Sequence, residues 1–211
     1  MNADDVRRQW AERSGEFSPE YYAYYGPNET SDLLRRTLDR FVDRRAPVLE
    51  LGCSSGRHLA HLHDHGFENL AGIEVNHEAF DVMREAYPAL ADAGTFYRDA
   101  IEDVVHDIPD DRFGAVYSVE TLQHLHPDAE WVFGELARLA ADLLVTVENE
   151  GDVQAGATAP EMSYVNDEVP LYFRDWNAVF TDLGFVEADA EPNGRDTVRV
   201  FRATPESAGH P

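Results

Sequence analysis

Apolar positions along the chain switch between two periods, and the switches outline strands alternating with helices. Residues 29–43 place Leu34, Leu38, Phe41 and Val42 on one helical face, with Thr30 or Ser31 as N-cap and Pro47 closing the segment. The run Val48-Leu49-Glu50-Leu51 follows as a first strand. After Gly56, Leu59 and Leu62 mark a short helix that Gly66 can stop, and residues 70–73 form a second strand ending at Glu74. Asn76 can then cap a third helix through Tyr87. A strand near 95–98, a strand over 113–118, a helix over 128–140 and a strand over 143–147 continue the alternation. A helix over 174–183 precedes strands over 185–188 and 197–203, joined through Pro192, Asn193 and Gly194 as a hairpin.

Alternating strands and helices predict an α/β fold: a doubly wound, seven-stranded, mostly parallel sheet with helices on both faces. The closing hairpin makes the C-terminal pair antiparallel. Two stretches stand outside the alternation. In the N-terminal one, Phe17, Tyr21, Tyr22, Tyr24 and Tyr25 crowd around Pro19 and Gly26-Pro27. The other, residues 150–170, is too long for a plain connection and reads as a lid or substrate loop. The expected organisation is a helical, Tyr-rich cap over 1–45, a main domain over 46–203 and a frayed tail over 204–211.

Composition changes this picture in one respect. The 211 residues include 43% hydrophobic ones, enough for a substantial core. All 17 basic residues are Arg, and 41 acids bring the formal net charge to -24, a composition resembling adaptation to a salt-rich cytoplasm. Such a surface argues against nucleic acid, although near-molar salt shortens the Debye length to about 3 Å and weakens the inference. With Cys53 alone, no intramolecular disulfide or Cys-based zinc site can form. Met1 is followed by Asn2-Ala3-Asp4-Asp5 rather than a basic and then apolar run, and no apolar stretch reaches membrane-spanning length, so a cytoplasmic protein is expected.

The chemistry concentrates where the first strand runs into Gly52-Cys53-Ser54-Ser55-Gly56 and opens a helix. Small residues there let backbone N–H groups approach a ligand, and the helix N-terminus carries roughly half a positive charge. An acid about 20 residues on, here Glu74, can take two ribose hydroxyls. Strand, turn, helix and strand-end acid together are how an α/β sheet holds a nucleoside.

At Glu50-x-Gly52-x-x-x-Gly56 the chain resembles the class I S-adenosylmethionine-dependent methyltransferases, and the resemblance runs over residues 46–203. It implies their Rossmann-like sheet and S-adenosyl-L-methionine as cofactor. The turn Gly52, Cys53, Ser54, Ser55 and Gly56, with Glu50 before it, would lie against the methionine part. Glu74, at the head of Glu74-Val75-Asn76, would bind the ribose hydroxyls. Asp99, in Asp99-Ala100-Ile101, would accept from the adenine amino group, Val75 and Ile101 would sandwich the ring, and Ser118 would lie near the sulfonium. Gly114 departs from the family, which often has Asp there. The residues support the same choice independently, since a dinucleotide site wants Gly-x-Gly-x-x-Gly and Ser54 stands where the second glycine would be.

Methyl transfer needs the acceptor held about 3 Å from the methyl, aligned and dry, and needs a base only if the acceptor must lose a proton. His124, just after the fourth strand, is the candidate base and Glu120 the alternative, with cofactor ordering or helix capping the other role open to both. Tyr21, Tyr22 and Tyr25 could close over the site or simply pack the N-terminal segment. Arg57 could meet an anionic acceptor or pair with a neighbouring acid, and Tyr164, Tyr172 and Arg174 could line the acceptor pocket. His58, His61 and His65 share a helical face, but no carboxylate in register apart from Asp64 completes a metal site, and none is expected. Ser118-Val119-Glu120-Thr121 lacks the Asn/Asp-Pro-Pro-aromatic run of base methylators, so a small-molecule acceptor is expected. The rivals are an NAD-dependent oxidoreductase and a cofactor-binding but catalytically silent partner subunit.

Overall fold

The computed structural model describes residues 1–151, 161–166 and 168–204. Among these, seven strands form one sheet: β1 (Val48–Leu51), β2 (Leu70–Ile73), β3 (Thr95–Tyr97), β4 (Phe113–Val119), β5 (Ala140–Glu148), β8 (Phe185–Asn193) and β9 (Asp196–Ala203). Their order is β3-β2-β1-β4-β5-β9-β8, parallel from β3 through β5, with β9 antiparallel to both of its neighbours. A two-stranded hairpin, β6 (Glu161–Val165) and β7 (Val169–Phe173), occupies part of the segment expected to be a lid. Residues 152–160 and 167 of that segment, and 205–211 of the expected tail, lie outside the described residues.

Period-2 alternation sends neighbouring side chains of β1 to opposite faces. Leu49 and Leu51 join a core with Ile73, Val116, Leu136 and Trp176, under α7 (Ile101–Val104), α8 (Trp131–Leu139) and α9 (Trp176–Asp182). Val48 joins the other core with Leu34, Leu59, Met83 and Val145, under α3 (Glu29–Phe41), α4 (Arg57–Asp64), α5 (Ala79–Ala86) and α6 (Pro88–Ala93). Glu50 shares the second face, where the buried Tyr117 hydroxyl donates to its Oε2 at 3.0 Å.

Two helix starts differ from expectation. α3 begins at Glu29 with Asn28 as its N-cap: Asn28 Oδ1 accepts the Ser31 N–H at 3.1 Å while Ser31 Oγ accepts the Asn28 N–H, so Ser31 completes a capping box rather than capping alone. The helix expected from Asn76 through Tyr87 is α5, which starts later, at Ala79 with Glu78 as its N-cap; α6 is an additional helix beyond it, with Pro88 at its first position, where no N–H is needed. The buried faces of α3 pack on α4, which makes this helix part of the sheet's own packing. The covering segment is α1 (Ala3–Ala11) and α2 (Pro19–Tyr25). No helix among the described residues is long and apolar enough to cross a membrane.

Candidate functional site

Strand order reverses between β1 and β4, so the loops leaving their carboxyl ends diverge and open a crevice, the place where open α/β sheets bind ligands. A cavity of about 1120 Å³, open mouth included, lies there. Its floor comes from the segments after four strands: Gly52 to Ser54, Glu74 to Asn76, Ala100 to Glu102, and Val119 to Thr121 with His124. Its roof is Val6, Trp10, Arg13, Phe17, Pro19 and Tyr22.

Glu74 is the centre of the floor. Its side chain is buried against the cavity, Oε2 accepting the Ser54 N–H at 2.8 Å and Oε1 the Asn76 N–H at 2.7 Å. Each oxygen therefore keeps acceptor capacity for a ligand hydroxyl. Burial raises its pKa, while the N–H groups of Asn76, Ser54 and Val75 oppose the shift. Gly52 has φ +63°, and a Cβ there would fall on the Thr121 hydroxyl, so glycine allows both this backbone conformation and the close packing of the turn on the loop after β4. Ser54 takes φ +48° without being glycine. So do Phe17 (65°) and Glu120 (48°), both cavity-lining, and such backbone costs about 1–3 kcal/mol each where it persists. Cys53 lines the floor with its thiol pKa raised well above the ordinary value by burial, as befits an apolar turn residue. Ser55 and Gly56 are buried in the turn and do not line the cavity.

The structure separates the remaining expected residues into two groups. Glu50, Val75, Asn76, Ala100, Ile101, Glu120, His124, Arg57 and Tyr22 line the cavity. Asp99 does not: it is exposed, its Oδ1 accepting the N–H of the adjoining Ala100 at 2.9 Å. Ser118 turns its hydroxyl onto the Glu148 carboxylate instead of toward the cavity. Tyr21 packs against Phe17 and Tyr25, with ring centroids 5.6 and 4.8 Å apart, while Tyr25 is exposed. Tyr164 is exposed on β6, and Tyr172 on β7 meets the His126 ring edge-on at 5.6 Å.

Arg174 is corrected most sharply. It is buried and committed to main-chain carbonyls, with Nη2 donating to Leu125 O at 2.8 Å, Nη1 to Leu122 O at 3.4 Å and Nε to Glu130 at 3.1 Å. From β5, buried Glu148 accepts the N–H groups of Thr121, Leu122 and Gln123 at 3.1–3.2 Å. One cation thus holds the carbonyls of the loop after β4 and one anion holds its N–H groups. Burial pushes the Glu148 carboxyl up to about 7, against its donors, Ser118 first. Glu148, Trp10, Arg13, Phe17 and Thr121 are site residues that sequence reasoning missed. The spacing Val6, Trp10, Arg13 behind Asn2, which caps α1 with Asp5, was the available signal for the roof.

That clamped loop presents His124. Its Nδ1 lies 3.0 Å from Pro170 O, and because a carbonyl can only accept, Nδ1 carries the proton and Nε2 the lone pair. Burial pushes its pKa down to about 4, keeping it neutral. Trp10 covers the ring at 4.6 Å. Glu120 is held by Arg195 at 2.8 Å. Burial and the Glu120 charge push neighbouring Asp196 up to about 8. Over the roof, Asn76 Nδ2 donates to Arg13 O at 3.1 Å and Trp10 O at 3.4 Å. Arg7 pairs with Asp103 and Arg13 with Glu168, each at 3.0 Å. Among the described residues no group of three or more His, Cys, Asp or Glu is gathered as for a metal ion.

Residues 48–142 match the family model described as a methyltransferase domain, and no curated protein sequence matches the chain. Among solved structures, the chain is similar to the Burkholderia thailandensis 1,6-didemethyltoxoflavin-N1-methyltransferase with bound 1,6-didemethyltoxoflavin and S-adenosylhomocysteine. Identity is 18%, covering 82% of this chain and 76% of that one, with a TM-score of 0.63. It is similar to the CcbJ methyltransferase from Streptomyces caelestis at 17% identity, covering 95% and 97%, with a TM-score of 0.66. A third likeness is to the [4+2]-cyclase SpnF, at 13% identity over 92% and 85% with a TM-score of 0.64. These likenesses concern the fold, which is that of the Rossmann-like methyltransferases.

Proposed function

We propose that the chain is a class I S-adenosylmethionine-dependent methyltransferase that transfers a methyl group by in-line displacement to a small-molecule acceptor. The observation that carries this is Glu74: a cavity-facing carboxylate at the end of β2, fixed by the N–H groups of Ser54 and Asn76 and still able to accept from a pair of hydroxyls. The methyltransferase-domain match over 48–142 supports the reading. S-adenosylmethionine, when bound, supplies an electrophilic methyl group on a sulfonium. Gly52 to Ser54 would hold its methionine part, Glu74 its ribose, and Val75 and Ile101 its adenine. With both ligands bound the roof would keep water from the reacting atoms, and neutral His124 offers Nε2 to a proton leaving the acceptor. Ser54 in place of a second glycine disfavours the NAD-dependent alternative.

Incubation with S-adenosylmethionine labelled in the methyl group and a fractionated cell extract tests the proposal. Label is expected in the small-molecule fraction; label only in protein or nucleic acid would reassign the acceptor. Binding of S-adenosylhomocysteine with no transfer to any fraction would leave a silent partner subunit. His124→Gln is expected to lower turnover roughly 100-fold or more at unchanged S-adenosylhomocysteine affinity. An unaltered rate would make the histidine scaffold and restrict the acceptor to an amine or thiolate.

We infer in addition that the protein works in a salt-rich cytoplasm, a reading supported by its 41 acids against 17 arginines and no lysine. Melting temperature should fall as KCl is diluted, because repulsion among surface acids is then less screened. It should also fall as pH rises at fixed salt. Glu50 and Asp196 are each pushed up to about 8, chiefly by burial, so the folded state binds their protons more tightly than the unfolded chain does. Their contribution is fully present below pH 4 and is lost as pH climbs through about 8. Melting curves flat in both variables would reject both statements.

A further inference from the structure

Three arginines line the cavity, and one of them is unlike the others. Arg7 is held by Asp4 and Asp103 and Arg13 by Glu168, whereas half-buried Arg57 makes no ion pair or hydrogen bond with any described residue. Arg98 and Arg112, also without a carboxylate partner among the described residues, sit exposed on the surface, where water solvates them. In a chain with 41 acids to 17 arginines, a partly desolvated guanidinium left unpaired costs free energy that a cavity ligand can recover.

The surroundings say what kind of ligand. Of the neighbouring acids, Glu50 already takes the Tyr117 hydroxyl and is held largely protonated near neutral pH by burial, and Glu120 is engaged by Arg195. The guanidinium carbon lies 4.5 Å from the centroid of the Tyr22 ring, a cation–π contact that leaves its N–H groups free to donate. Trp10, Phe17 and His124 add flat walls to the same cavity, Trp10 and His124 with ring centroids 4.6 Å apart. We infer that the methyl acceptor is a small planar anion and that Arg57 binds its carboxylate or phosphate group. The inference rests on the transferase reading, since it assigns the acceptor side of the same cavity; the competing occupant of Arg57 is the carboxylate of the cofactor itself.

Calorimetric titration of the S-adenosylhomocysteine-saturated protein with benzoate, phenyl phosphate and benzamide separates these outcomes. At least one anion is expected to bind about 10-fold or more tighter than benzamide, and its identity distinguishes carboxylate from phosphate. Arg57→Met should bring that anion down to the benzamide level while S-adenosylhomocysteine affinity stays within about twofold. Arg57→Lys keeps the charge without the planar fork and should fall between the two, which covers a methionine variant that does not fold. Benzamide binding as well as both anions, or no anion binding, overturns the inference and leaves the transferase reading standing. Loss of S-adenosylhomocysteine affinity in a folded Arg57→Met or Arg57→Lys protein assigns the residue to the cofactor and also overturns it. A wild-type protein that does not bind S-adenosylhomocysteine fails the transferase reading first and the inference with it.

Discussion

Glu74→Ala is expected to weaken S-adenosylhomocysteine binding by roughly 1.5–3 kcal/mol, about 10- to 150-fold, the value of hydrogen bonds to a charged group. The substitution acts twice. It removes the acceptor for the ribose hydroxyls, and it frees the Ser54 and Asn76 N–H groups whose bonds at 2.8 and 2.7 Å hold the turn after β1 and the segment after β2 in register. Those donors face a water-accessible cavity, so the folded state should lose little stability while affinity falls. Calorimetry and a melting curve on the same sample separate the two quantities. Unchanged affinity would remove the ribose role from Glu74 and with it the main support for the proposed function.

The largest loss of stability is expected from Glu148→Ala, about 3 kcal/mol or more. This carboxylate is fully buried and accepts from the Ser118 hydroxyl and from three consecutive main-chain N–H groups, those of Thr121, Leu122 and Gln123. Removing it leaves donors without acceptors in a dry place, and each such group costs about 1–3 kcal/mol. For a chain of this size that corresponds to a fall in melting temperature of roughly 6–12 °C. Because the same loop carries His124, transfer should decline in parallel even at temperatures where the variant is folded. A variant with wild-type stability in urea titration would show that the loop is held from elsewhere, with Arg174 the remaining clamp.

The parts of this molecule legible in its sequence are those whose cause is local. Apolar periodicity marks each strand of the main sheet because burial acts on one face at a time, and the turn from Gly52 to Gly56 with Glu74 beyond it is set by backbone geometry that few other residues allow. What was not legible depends on the course of loops. Asp99 and Ser118 stand at the ends of the right strands, yet one folds back onto its neighbour's N–H and the other onto Glu148. Arg174 looked like a substrate residue because nothing near it in sequence shows that the carbonyls of Leu122 and Leu125 converge on it. Glu148 was within reach of sequence reasoning, since an acid ending the apolar run of β5 repeats the pattern of Glu74 after β2.

Asn76 joins two layers through different parts of itself: its N–H rests on Glu74 below, and its side-chain amide reaches the main-chain carbonyls of Trp10 and Arg13 above. A latch that grips only backbone is indifferent to which side chains the covering helix displays. Under the proposed function, substitutions in the covering segment that keep this backbone grip and the Arg7 and Arg13 ion pairs would therefore alter the acceptor side of the cavity while leaving the Glu74 seat as it is.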